Sequence, residues 1–310
     1  MKSPMKPTAF IKPAERLTRK APGITRRVLL GGMGMAGFVA SATAAYATGI
    51  EPLNLVVTSY RPKLPRWPSG RPLSVSVIAD LHAGGPNMTI PHIRRVVDVA
   101  NSLKSDLIVL LGDYVATHPF VTEHVPHQAW AAELARLKAD HGVWAVLGNH
   151  DWWLGVQDIR RAFADAEIPV LENHAVHLGP RGRRFWLAGL GDQFAVRLGR
   201  GRFRGVDDLP ATLSRINTDD PVILLAHEPY VFATVPHRIA LTLAGHTHGG
   251  QVRVPFVWGP VTSSDYGSRF AYGHIVEQRR HMIVSGGLGT SVVPVRLGVP
   301  PEIVRIDIDA

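Results

Sequence analysis

From residue 73 onward the chain alternates short apolar runs with segments of helical period. Residues 73–79 precede 90–103, 107–111 precede 128–139, and 143–147 precede 156–166. Each apolar run has strand length, and each segment after it is long enough for a covering helix. Three strand-helix units in succession predict a largely parallel sheet with both faces covered. Later apolar runs at 185–188, 222–226, 241–244, 282–285 and 303–308 predict further strands. Residues 199–220 break the pattern and read as a long loop or a short cap.

Residues 28–50 form an uncharged run of 23 positions. At about 1.5 Å per residue a helix of that length could cross a bilayer, although its glycines and alanines weaken the drive to insert. Directly before and into it run Thr25, Arg26, Arg27, Val28, Leu29 and Leu30, which resemble a twin-arginine export signal. A basic arm, a weakly apolar run and small-x-small sites at Ala42/Ala44 and Ala45/Ala47 follow in the order a signal peptide requires. Pro52, Pro62, Pro65, Pro68 and Pro72 make 51–72 read as an extended tether with one edge strand at 53–58. The expected organisation is a signal or membrane anchor over 1–50, the tether, and one domain over 73–310. The expected location is extracytoplasmic, by the twin-arginine export machinery, either free in the periplasm or anchored in the inner membrane.

Composition changes this picture in two ways. The 310 residues include no cysteine, so disulfides, zinc ribbons, iron–sulfur clusters and thiol nucleophiles are excluded, and any metal must sit on oxygen and imidazole ligands. The formal charge of +9 suggests a polyanion partner, but residues 1–27 alone carry +7. The remaining 283 residues hold +2, which is no footprint for a phosphate backbone, and no nucleic-acid partner is expected.

Each of the first three strands ends on metal-competent side chains: Asp80 and His82, then Gly112-Asp113, then Gly148-Asn149-His150-Asp151. An Asp at a strand end is more often a cap or turn residue, and a lone His more often surface. Three such clusters in phase, at the strand ends where α/β sheets collect ligands, are harder to dismiss. His227-Glu228 and Gly245-His246-Thr247-His248-Gly249-Gly250 follow two later runs in the same way. If extended, residues two apart share a side, so Asp80 and His82 face one site, and His246 and His248 do likewise with Thr247 turned away.

The ordered set Asp80-x-His82, Gly112-Asp113, Gly148-Asn149-His150-Asp151, His227 and Gly245-His246-x-His248 resembles that of the calcineurin-like metallophosphoesterases. The likeness is closer to their exported or membrane-associated bacterial branch, through residues 246–252 and 287–290 with Pro294-Val295-Arg296 and Pro300-Pro301-Glu302. The resemblance implies an α/β fold, a four-layer αββα sandwich of two mixed sheets around a dinuclear metal site. It implies that Asp80, His82 and His248 hold one divalent ion, that Asn149, His227 and His246 hold the other, and that Asp113 bridges them. Such a donor set suits Mn, Fe or Zn. A water between the ions would be acidified to hydroxide and placed in line with phosphorus, with His150 protonating the leaving oxygen.

One departure from the family matters. Its protein phosphatases carry a second Asp three residues after the bridging one, then Arg, and a Glu after the catalytic His. Here Ala116, Thr117 and Asp151 occupy those positions, which argues against a phosphoprotein substrate and leaves the partner that orients His150 open. His118, Asp192 and Arg296 are further candidates for substrate contact. The expected activity is hydrolysis of a phosphoester or pyrophosphate bond in a phosphorylated small molecule or lipid, such as a UDP-2,3-diacylglucosamine type. The alternative is a non-catalytic exported metal-binding or envelope interaction protein on the same fold.

Overall fold

The computed structural model describes residues 26–253 and 266–308. Along the chain the strands are β1 (Val56–Tyr60), β2 (Leu73–Ile78), β3 (Leu107–Leu110), β4 (Val143–Ala145), β5 (His174–Leu178), β6 (Phe185–Gly189), β7 (Val196–Gly199), β8 (Arg202–Arg204), β9 (Val222–Leu225), β10 (Leu241–Ala244), β11 (Gly273–Glu277), β12 (Arg280–Val284) and β13 (Glu302–Ile308). The helices are α1 (Arg26–Gly49), α2 (Ile90–Ser102), α3 (His127–Leu134), α4 (Asn149–Trp153), α5 (Val156–Asp165) and α6 (Leu209–Ser214).

Two mixed sheets make the body. One has the order β1-β13-β2-β3-β4, with β2, β3 and β4 parallel and β13 antiparallel to β2. The other has the order β11-β12-β10-β9-β6-β5, with four parallel strands between two antiparallel edges. The period-2 alternation of the strands divides their side chains between separate cores. Leu107 and Val109 of β3 meet Leu225 and Leu243 of the facing sheet, whereas Ile108 and Leu110 pack outward under the helices. On α2, Ile93, Val96, Val97 and Ala100 form the buried stripe expected of a covering helix, and Trp130 and Phe163 continue that layer from α3 and α5. The outer face of the second sheet is covered more thinly, by α6, a short 3₁₀ turn at Pro229–Ala233 and loops around Phe232 and Phe270.

The stretch expected as a tether is folded into the body. Its β1 pairs in parallel with β13, Leu64 and Trp67 are buried in the core between the sheets, and Glu51 accepts a hydrogen bond from the Val299 amide at 2.9 Å. Two isolated apolar residues among five prolines carry no periodicity, which is why the sequence pattern misses them. The compact body accordingly begins at residue 44, inside α1. Of the expected export signal, residues 1–25 lie outside the described residues. The uncharged run is helical, yet among the described residues no helix is long and apolar enough to cross a membrane.

Candidate metal centre

All the strands that supply candidate ligands are parallel ones, and they supply them from their carboxyl ends. Asp80 and His82 follow β2, Asp113 follows β3, Asn149 opens α4 after β4, His227 follows β9 and His246 and His248 follow β10. Close backbone approach makes this convergence possible. A Cβ on Gly112 would lie 2.6 Å from the Gly148 amide nitrogen, and one on Gly245 would lie 2.7 Å from Asp80 Oδ2.

The side chains gather into two groups, Asp80 with His82 and His248, and Asp113 with His227 and His246, each group's ligand atoms lying within 4.8 Å of one another. Asn149 Oδ1 joins the second group at 2.9 Å from His246 Nδ1 and 3.2 Å from His227 Nε2. Asp113 Oδ2 stands between the groups, 3.2 Å from His227 Nε2 and 3.6 Å from His82 Nε2. His82 Nε2 and His248 Nε2 approach to 3.1 Å.

The backbone fixes which imidazole nitrogen faces the centre. A carbonyl can only accept, so His227 Nδ1 donates to Leu111 O at 2.7 Å and His82 Nδ1 to Val115 O at 3.2 Å, leaving both Nε2 lone pairs for a metal. Five ligands, Asp80, His82, Asp113, His246 and His248, have φ between 43° and 69°. The extended alternation expected at Asp80/His82 and His246/His248 is therefore not what converges them. His246 and His248 belong to different groups, although Thr247 does turn away, donating to Ala271 O at 2.6 Å. Left-handed backbone at non-glycine residues costs about 1–2 kcal/mol each and persists here because surrounding hydrogen bonds enforce it. The amides of Asp80 and His82 donate to Gly112 O and Asp113 O, and the Asp80 carboxylate accepts from the His246 amide at 2.9 and 3.1 Å.

Electrostatics favour a bound cation. Burial pushes Asp80 up to about 7 and pushes His82 and His246 down to about 3, so the imidazoles are neutral donors at ordinary pH. Burial also opposes ionisation of Asp113, but His227, His150 and His82 overcome it and hold the carboxyl well below its usual range. His227 keeps a proton far above the usual range because, against its own burial, Asp113 draws one. A divalent ion held there would supply positive charge in place of that proton. Two carboxylates, an amide and four imidazoles, with Nε2 of His82, His227 and His248 and Nδ1 of His246 gathered at the centre, fit such an ion.

His150 lies on the open side of the centre, its Nε2 3.9 Å from Asp113 Oδ2. Its Nδ1 is hydrogen-bonded to the hydroxyl of Thr117, and its amide donates to Asp113 Oδ1 at 2.8 Å. Burial lowers the proton affinity of the ring, and the charges of His227 and Arg197 lower it further against the pull of Asp113. Asp151 turns away and accepts from the amides of Asp113, Tyr114 and Gly148 at 2.8 to 2.9 Å, tying the loop after β3 to the start of α4. A cavity of about 860 Å³ opens over the centre, with His118, Phe120, Trp153, Arg197 and Tyr230 in its walls.

Two expected substrate contacts are internal. Arg296 is wholly buried and donates to the carbonyls of Gly286, Gly289 and Val299 at 2.9 to 3.0 Å. Asp192 is buried against Glu228, and burial together with that neighbour's charge pushes it up to about 11. Thr117 and Arg197 were not singled out by sequence. The signal for Thr117 was its place beside the absent phosphatase aspartate, and Arg197 offered only a cluster of arginines in a segment without periodicity.

The calcineurin-like phosphoesterase family model matches residues 73–250. An uncharacterized metallophosphoesterase of Bacillus subtilis, YkuE, is 31% identical over 288 residues, spanning 90% of this chain and 96% of that protein. The phosphodiesterase YaeI of Escherichia coli is 30% identical over 243 residues, spanning 76% of this chain and 82% of that protein. With the strand ends, the ligand types and these matches in agreement, the chain belongs to the calcineurin-like phosphoesterases.

Proposed function

We propose that the protein is a hydrolase of phosphoester or pyrophosphate bonds that works with two divalent ions and uses His150 as general acid. The observation that carries this reading is the convergence of seven oxygen and nitrogen donors and one separately oriented histidine beneath a single cavity. Divalent ions held there would polarise the phosphoryl oxygens and supply a deprotonated water at neutral pH. Asp80, His82 and His248 would hold one ion, Asn149, His227 and His246 the other, and Asp113 both. His150 faces the cavity from outside these ligands, where Nε2 can give a proton to the departing oxygen while Thr117 holds the ring. The purified body should hydrolyse bis(4-nitrophenyl) phosphate with Mn²⁺ and lose the activity to a chelator. A protein that binds divalent ions yet cleaves no phosphoester would instead be the envelope metal-binding protein.

Exposed Phe120, Val252, Val292 and Val293 at the cavity mouth support a substrate with an apolar part, such as a lipid-linked phosphate or pyrophosphate. Better kcat/KM on micellar than on soluble phosphoesters tests this, and a preference for soluble ones would remove it. Export by the twin-arginine route rests on Arg26-Arg27 before the uncharged run. Changing both to Lys should leave the precursor in the cytoplasm, and undiminished translocation would exclude that route.

A further inference from the structure

The hairpin β7–β8 carries four arginines, at 197, 200, 202 and 204, in the segment where the sequence showed no pattern. Only one of them lines the cavity. Arg197 lays its guanidinium 3.6 Å from the centroid of the Trp153 ring. That ring is itself fixed: its Nε1 donates to Phe194 O at 3.0 Å, and Phe203, the cross-strand partner of Arg197, stacks on it at 5.6 Å. Phe194 packs against Phe203 at 5.2 Å and against the ligand His246 at 5.5 Å, so the aromatic platform is continuous with the metal centre. The other neighbour of Trp153 is His150, with ring centroids 5.0 Å apart.

Among the described residues no carboxylate pairs with Arg197. A guanidinium stacked on an aromatic face keeps its planar fork of N–H donors free at the edge, pre-organised for a phosphate. Its position sets which part of a substrate it meets. The reacting phosphoryl group belongs at the ligand cluster, and the leaving oxygen belongs at His150. Arg197 sits on Trp153, the ring neighbour of His150, and so on the side where the leaving group would depart.

We propose that Arg197, seated on Trp153, is a binding site for a phosphate carried by the leaving group. The substrate class this selects is a diphosphate diester, in preference to a phosphodiester whose leaving group is uncharged. In the reaction the oxygen of water bonds to the phosphorus at the ligand cluster. The bond from that phosphorus to the bridging oxygen breaks, and its electron pair stays on the second phosphate, which Arg197 holds. One water is consumed, two phosphomonoesters form, and the protons of the water pass to the products or to solvent. This site rests on the hydrolase reading above and extends it to one side of the substrate.

The test uses the Mn²⁺-loaded protein, Arg197→Met and Arg197→Lys, with two probes: methylenediphosphonate, which has two anionic phosphorus groups, and methylphosphonate, which has one. Calorimetry and inhibition of bis(4-nitrophenyl) phosphate hydrolysis read their affinities. Arg197→Met should weaken methylenediphosphonate by roughly tenfold, the worth of one charge-assisted contact, and leave methylphosphonate unchanged. Arg197→Lys should recover part of the loss, since it keeps the charge without the stacked fork. An unchanged ratio of the two affinities in Arg197→Met would overturn the site while leaving the hydrolase reading standing. A wild-type protein that hydrolyses neither bis(4-nitrophenyl) phosphate nor a diphosphate diester would defeat both.

Discussion

The hydroxyl of Thr117 is hydrogen-bonded to Nδ1 of His150, one residue beyond Ala116, the position where related protein phosphatases carry an aspartate. A hydroxyl can orient an imidazole without adding a negative charge, so it raises the proton affinity of the ring less than Asp would. His150 sits in surroundings that already lower that affinity. The arrangement suits an acid that must release its proton readily.

Thr117→Val should therefore keep its metal and fold while kcat on alkyl phosphoesters falls roughly tenfold, a part of the 10² to 10⁴ that general acid catalysis contributes as a whole. Thr117→Ser should stay near wild type. Aryl substrates with good leaving groups need less protonation and should be nearly unaffected. A leaving-group series on the two variants checks this, and equal losses across the series would show that Thr117 does something other than orient the acid.

The Asp192–Glu228 pair gives a pH dependence with a definite sign. Burial and the neighbouring carboxyl raise Asp192 to about 11, so the folded protein keeps it protonated, whereas the unfolded chain ionises it above about 4. Stability that is intact at pH 4 is therefore lost progressively as pH rises from there toward 11, at no more than roughly 1.4 kcal/mol per pH unit. Asp192→Asn keeps the acceptor for the Phe194 amide, provides a donor toward Glu228, and has nothing to ionise. Its melting temperature should exceed that of wild type increasingly between pH 5 and 8 and equal it near pH 4. A constant difference at all pH values would contradict a protonated Asp192 in the folded protein.

Arg296 is expected to act on stability. Arg296→Met would leave the carbonyls of Gly286, Gly289 and Val299 without their donor, at about 1–3 kcal/mol for each buried group left unpaired. The loop it anchors carries the Leu288 and Gly289 amides, which donate to Ala79 O and Asp80 O. Urea unfolding should show a loss of about 3 kcal/mol or more, since all three partners go together. A variant of wild-type stability with impaired substrate binding would return Arg296 to the role the sequence suggested.

How far the sequence reaches is visible in particular residues. Strands β3, β9 and β10 are buried on both faces, so their apolar runs stand out, and the ligands follow each of them within a few residues. The hairpin β7–β8 is exposed and rich in Arg and Gly, so nothing in its polarity marks a strand. Left-handed backbone at Asp80 and His248 is equally silent, because glycine is the usual signal for it and tertiary hydrogen bonds enforce it here. The side chains that gather at the centre stand out in the sequence because chemistry restricts which residues can bind a metal. Thr117 and the Asp192–Glu228 pair around it do not, since many residue types can orient a ring or sit buried beside a carboxyl.

The central claim is that Asp113 joins two groups of ligands into one hydrolytic centre. Asp113→Asn keeps the size of the side chain and removes the charge that faces His82, His150 and His227. Elemental analysis of wild type and Asp113→Asn after equilibration with Mn²⁺, read beside bis(4-nitrophenyl) phosphate hydrolysis, is the most direct measurement. The expected result is about two ions per wild-type chain, a marked loss from both positions in the variant, and activity that falls with metal content. Wild-type protein that retains no metal, or a variant that keeps full occupancy and full activity, would contradict the claim.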